Sequence, residues 1–250
     1  MRLLVLLCLL LLPLSAFAEA PRILFDEGHR QAFLIEKEGP LQLSKLAGLF
    51  QQHGWQVGVS NGVLTEQTLA ATDALVISGA FAPLSPQELD NLTTFLQNGG
   101  KLAVMIHIGQ PILPLLHKLG VDVATRVIND PQQQPNGKTI DFSVSNFQPH
   151  LLTEGLEQFN IYGGWPLQVF EQSGKAIARS SAKSWVDIDN NKQLSPPDVV
   201  SSFDVIISGD YGQGGFVIFA DDAIFQNQFL QDGNRKLAEN LISWFGQVKI

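Results

Sequence analysis

Short apolar runs alternate along the chain with stretches whose apolar residues recur at helical spacing. The runs, bounded by polar turn residues, read as buried strands, and the i, i+3, i+4 stretches read as amphipathic helices. Pro21 to Phe25 is the first such run, and it ends in Asp26-Glu27-Gly28-His29. Gly39-Pro40 is then expected to start a helix in which Leu41, Leu43, Leu46, Ala47, Leu49 and Phe50 share a face, with His53-Gly54 ending it before a strand from Trp55 to Val59. Asn61-Gly62 turns the chain, Thr65 to Ala70 predicts a short helix, and Ala74 to Ser78 predicts a third buried strand closing on Gly79. In Ser85-Pro86-Gln87-Glu88 an N-cap serine, a proline at the first helical position and a capping-box glutamate stand in register. Gly99-Gly100 supplies the stop, so a helix is expected over Pro86 to Asn98. Leu102 to Ile108 is continuously apolar, as a strand covered on both faces of a parallel sheet should be.

Beyond a helix expected over Ile112 to Leu119 the texture shifts to shorter strands and more turns. Candidate strands are Val121 to Ile128, Ile140 to Val144, Ala176 to Arg179, Asp204 to Ser208 and Phe216 to Ala220, the last two joined by a hairpin connection over Gly209 to Gly215. A final helix from Arg235 to Phe245 buries Leu237, Leu241, Ile242, Trp244 and Phe245. Strands alternating with helices in this way predict an α/β fold. It has a doubly wound, mostly parallel sheet and a strand-rich C-terminal part, within one domain over residues 19–250.

The first residues break the pattern. Arg2, an unbroken apolar run from Leu3 to Leu12, and Ala16-Phe17-Ala18 have the layout of a secretory signal peptide, residues 1–18, cleaved after Ala18. The expected mature chain is periplasmic, and no other segment is long and apolar enough to span a bilayer. Cleavage removes Cys8, the only cysteine, so residues 19–250 offer no disulfide, thiolate nucleophile or cysteine metal ligand. The chain has 24 acidic and 16 basic side chains, a net charge of −8, and its basic residues are scattered. Nucleic acid and anionic lipid both reward clustered Lys and Arg, so neither is an expected partner.

Two local patterns resemble chemistry without its context. Gly58-Val59-Ser60-Asn61-Gly62 fits G-x-S-x-G, but an Asn-Gly turn follows the serine where a nucleophile elbow needs a helix packed directly behind it. Asp187, Asp189, Asn191, Gln193 and Asp198 have partial calcium-loop spacing. The sixth position is Lys192 in place of glycine and the last is a short Asp after Pro196-Pro197, so a solvated turn is the expected reading and bound calcium the alternative. Position in the fold suggests a third group. Ligands of open α/β sheets bind beyond the carboxyl ends of the strands. Asp26, Glu27 and His29, then Ser78 and Gly79, then His107, then Asp221 and Asp222 are expected at those ends. Carboxylates and imidazoles in one crevice suit polar-ligand binding, a divalent cation or acid–base work. Trp165, in Tyr162-Gly163-Gly164-Trp165-Pro166, is expected to be a core indole, with a groove-lining position the alternative.

Two stretches carry a family resemblance. F-D-E-G-H-R-Q from Phe25 to Gln31, with L-V-I-S-G and S-P-Q-E-L-D-N-L-T-T-F-L-Q-N-G-G-K-L, resembles a bacterial domain-of-unknown-function family of class I glutamine-amidotransferase-like fold. The segment from Gly214 to Phe245 resembles the closing segment of the gliding-motility auxiliary component of ABC transporters. Pro149-His150 to Leu156 is similar to a His-Pro-x-x-x-Gly-Leu segment of related domains, with the first two residues exchanged. The resemblance implies an extracytoplasmic sensor or accessory domain. Amidotransferases of this fold carry a cysteine on the turn after a central strand, where this chain has His107-Ile108-Gly109. The expected function is therefore a non-catalytic accessory or ligand-binding domain of the cell envelope, holding a partner protein or a small polar ligand without a cofactor. The alternative is a metal-assisted hydrolase acting on a carbohydrate or ester.

Overall fold

The computed structural model describes residues 19–171 and 174–247. The expected signal peptide lies outside the described residues. Strands β1 (Arg22–Asp26), β2 (Gln56–Ser60), β3 (Ala74–Ser78) and β4 (Lys101–Met105) alternate with helices α1 (Ser44–Gln52), α2 (Glu66–Ala70), α3 (Pro86–Gln97) and α4 (Gly109–Lys118). There follow β5 (Val121–Val123), β6 (Ile128–Asn129), β7 (Asp141–Val144), β8 (Asn146–Phe147), β9 (Phe159–Tyr162), β10 (Leu167–Val169) and β11 (Gly174–Arg179). Then come β12 (Trp185–Val186), β13 (Val199–Val200), β14 (Asp204–Tyr211), β15 (Gly214–Phe219) and the closing helix α5 (Asp232–Phe245).

The main sheet runs β2-β1-β3-β4-β15-β14-β10-β5. Its first part, β2 to β15, is parallel throughout, and β14, β10 and β5 extend it antiparallel. Chain order reverses at β1, which sends the right-handed crossovers α1 and α2 to opposite faces. Helix α1 packs on α5, and α3 packs on α2 and α4. Both faces are thus covered, and β3, β4 and β15 are buried at every position. Off this order β11 pairs antiparallel with β14 and β8 with β11, and the other strands form the small sheets β13-β12-β6 and β7-β9. This is the expected doubly wound, mostly parallel sheet with a strand-rich C-terminal part.

Several boundaries differ from expectation. Helix α1 starts at Ser44, later than Gly39-Pro40, because no cap is present in its own sequence. The Lys45 N–H of its first turn instead donates to Asn227 Oδ1, from a loop far along the chain. The run expected as one strand from Val121 to Ile128 splits into β5 and β6, which pair in different sheets. Strand β4 stops at Met105, which leaves His107 in the connection to α4. The hairpin expected over Gly209 to Gly215 tightens to Gly212-Gln213. Gly214 passes so close to the α3–β4 connection that a Cβ there would lie 2.0 Å from the Gly100 carbonyl oxygen. Strand β9 is not among the expected strands, although Phe159 and Ile161 alternate inward against Asn160 and Tyr162.

Candidate functional site

Because β1 to β4 and β15 are parallel, their carboxyl ends meet at one edge, and the expected site residues gather there in two groups. The first group is buried. His29 Nδ1 lies 2.7 Å from Asp26 Oδ2 and Nε2 lies 3.0 Å from Glu88 Oε1, with all three side chains almost wholly enclosed. Gln31 Nε2 and the Gly28 N–H also donate to Asp26. Glu88 accepts the N–H groups of Leu64 and Ser85 and the Ser85 hydroxyl. Both imidazole nitrogens face carboxylate oxygens, which only an imidazolium satisfies. The hydrogen bond to Asp26 holds the His29 pKa above its ordinary 6.5, against the opposing effect of burial. Burial pushes Glu88 up, but the N–H donors of Ser85 and Leu64 and the His29 charge outweigh it and bring Glu88 below 4.5. Glu27 turns aside and accepts the Ile35 N–H. Asp26, Glu27 and His29 therefore brace the loops above the strands and do not line an open cleft.

The second group does. His107, Asp221 and Asp222 line a cleft of about 520 Å³ beside Tyr162, Trp165 and Gln226. His107 Nδ1 lies 3.1 Å from Asp222 Oδ1, with the imidazole partly exposed and Asp222 buried. The rings of Phe33 and Phe81 pack on the imidazole at 5.2 and 5.1 Å between centroids. Trp165 lines the cleft, contrary to the expected core position, and its indole N–H donates to the His107 carbonyl. Gly79 makes the dyad possible, since at φ +59 a Cβ there would lie 2.7 Å from Asp222 Oδ2. Ser78 Oγ and Asp222 Oδ2 are buried without a hydrogen-bond partner among the described residues.

Electrostatics around this dyad favour protonated groups. The hydrogen bond to Asp222 holds the His107 pKa above 6.5 although burial works against it. Burial, then the neighbouring Asp222 charge, pushes Asp221 up to about 7 even though Tyr162 and Ala223 donate their N–H groups to it. Tyr162 is stacked on Phe229 at 3.8 Å, and burial raises its phenol pKa.

The spacing-based candidates stand apart from the cleft. Asp187, Asp189 and Asp198 come within 4.8 Å of one another. Their carboxylates already order the turn: Asp187 accepts from the Asn191 and Lys192 N–H groups, and Asp198 from those of Ile188 and Ser195. Asn191 donates its side-chain amide to Asp189, and Gln193 joins through its backbone N–H to Asn191. The Ser60 hydroxyl points at the Gly62 carbonyl in a plain turn. His150 Nδ1 accepts the Leu152 N–H as a local cap. Sequence reasoning missed Gln226, Tyr162 and the second role of Glu88. Only the Glu88 capping box was visible locally.

Fold and cleft together define an α/β protein with an open cleft at the carboxyl edge of its parallel strands, where ligands of such sheets bind. The chain belongs to the family described as Domain of unknown function (DUF4350), whose model matches residues 36–242. No curated protein matches it. Among solved structures it is similar to the mmIFT52 N-terminal domain, at 16% identity and TM-score 0.73, covering 91% of this chain and 99% of that one. It is also similar to a ThuA-like protein from Bacteroides uniformis ATCC 8492, at 16% identity and TM-score 0.57, covering 92% and 94%. A cytoplasmic protein from Salmonella typhimurium LT2 matches at 18% identity and TM-score 0.59, covering 90% and 100%. At such identities the likeness is one of fold. ThuA-like proteins have glutamine-amidotransferase-like folds, in line with the expected class.

Proposed function

We propose that the chain is an exported, non-catalytic domain of the bacterial cell envelope that binds a small polar ligand in the cleft beside His107. One observation carries the reading. Asp222 fixes an imidazole in the cleft whose Nε2 has no protein partner among the described residues, and Gln226, only 3% exposed, lines the cleft beside it. Preformed polar groups in a part-apolar cleft are what small-ligand sites provide. The DUF4350 family and the ThuA-like fold are compatible with this reading. Export rests on Arg2, the run from Leu3 to Leu12 and Ala16-Phe17-Ala18. An accessory role beside an ABC transporter rests on the resemblance of the segment from Gly214 to Phe245.

Binding is favoured over metal-assisted hydrolysis by how the crevice groups are used. Asp222 is engaged with His107, and both Asp221 oxygens hold backbone N–H groups. Among the described residues, the trio of side chains within reach of one ion, Asp187, Asp189 and Asp198, lies outside the cleft. The test is a two-dimensional amide NMR spectrum of the mature chain from periplasmic extract, titrated with pooled small polar metabolites. Shifts confined to residues around His107, Tyr162 and Gln226 are the expected result. A flat spectrum, or shifts elsewhere, rejects the reading. Cell fractionation with N-terminal sequencing tests export, the expected first residue being Glu19.

A further inference from the structure

The lining of the cleft is unevenly used. Asp222 meets His107 through Oδ1 while its buried Oδ2 has no partner among the described residues, Asp221 accepts the Tyr162 and Ala223 N–H groups, and Asp141 accepts the Asn136 side-chain amide. Two of its nitrogen groups are left open toward the cleft. His107 Nε2 has no partner, and the exposed Lys138 ammonium at the rim has no carboxylate partner among the described residues. Gln226 adds a buried amide to the lining. Between these polar groups the walls are apolar. Tyr162 and Phe229 stack on each other, Phe33 packs on the imidazole, and Trp165 has spent its N–H on the His107 carbonyl and offers only its ring.

We propose that the cleft takes an organic monoanion with a planar or apolar body, its negative group seated between the His107 imidazole and the Lys138 ammonium. This rests on the reading of the cleft as a ligand site and names its ligand class. A charge-assisted hydrogen bond from the imidazole, itself held by Asp222, forms the chain ligand, His107, Asp222, in which each donor meets an anionic acceptor. The body of the ligand replaces water against the aromatic walls, which supplies affinity without further polar contacts. The carboxylates facing His107 favour its imidazolium form, the donor this arrangement needs. Asp222 and Asp221 approach from beyond β15, the Phe33 and Phe81 rings from the loops after β1 and β3 do not titrate, and Trp165 touches only its backbone. Affinity for the anion falls as pH rises and His107 gives up its proton.

The experiment uses matched probes on the mature chain: acetate with acetamide, benzoate with benzamide, and phenylacetate with phenylacetamide, followed by saturation-transfer and amide NMR. Each pair keeps its shape and differs in charge. At pH 6 at least one acid is expected to bind about tenfold tighter than its amide, as a hydrogen bond to a charged group requires. Lys138→Ala, a surface change with little bearing on folding, should cut that advantage about fivefold or more. His107→Gln should remove it while a thermal melt confirms that the chain folds. If no acid outbinds its own amide, or if Lys138→Ala and His107→Gln leave the preference intact, the ligand class is wrong. The two readings separate cleanly. Amides that shift Gln226 and Tyr162 as strongly as the acids overturn the anion and keep the cleft, whereas no shift there with any probe overturns both.

Discussion

His29 shows how much one side chain depends on its partners. It sits between Asp26 and Glu88 with both nitrogens engaged, so its removal leaves buried carboxylates short of a counter-charge. His29→Gln should cost about 3 kcal/mol, the scale for breaking a buried ion pair from one side, measured by urea unfolding at pH 6. The pKa of His29 is raised in the fold, so its contribution is complete below 6.5 and fades as pH climbs through the folded value. The gap between wild type and variant should accordingly narrow by pH 9; a gap that widens would contradict the imidazolium. At the second dyad, Asp222→Asn takes away the group that raises the His107 pKa. Its imidazole should then titrate lower, read from ring carbon shifts, and an unchanged titration would show that Asp222 does not hold it.

Helix α3 begins where its sequence says it does. The Ser85 hydroxyl accepts the Glu88 N–H, and the Glu88 carboxylate returns to the Ser85 N–H. Ser85→Ala should cost about 1 kcal/mol in thermal unfolding. The same Glu88 reaches His29, so loosening the cap also loosens the loops carrying Phe33 and Phe81. Gly79 closes β3 in a left-handed conformation against Asp222, and Gly79→Ala should cost about 1 kcal/mol or more and displace that carboxylate. A shifted His107 resonance would report the displacement; a normal His107 signal in a stable Ala variant would refute it. Helix α1 is the opposite case. Apolar spacing placed its buried face, but its first residue follows from Asn227, which lies beyond any local window.

The pH profile belongs to the molecule as a whole. His29 and His107 have raised values and Asp221 is raised to about 7, so all three favour the protonated form in the fold. The share from Asp221 is complete below 3.8 and is lost as pH rises through about 7, and the histidine shares fade above 6.5. On the acid side Glu88 works in reverse: its share is present above 4.5 and is lost as pH falls through its lowered folded value. Stability should peak at about pH 5 to 6 and decline toward pH 8.5. Calorimetry across pH 4 to 9 checks this, and a maximum at pH 8 or above would contradict the three raised groups.

The periodicity of β1 to β4, the cap of α3 and the buried face of α5 follow from the order of residues, because backbone periods of 2 and 3.6 are local. So does the prediction that Asp26, His29, Ser78, His107 and Asp221 stand near one sheet edge, since parallel strands put their carboxyl ends together. The pairing of those groups was not local. That His29 belongs to Glu88 and His107 to Asp222 depends on loops brought together from distant parts of the chain. Gln226, Tyr162 and Lys138 became part of a cleft only when the strand-rich half folded over the carboxyl edge. Spacing along a chain reports which way a side chain points from its own backbone, and tertiary packing decides what it meets there.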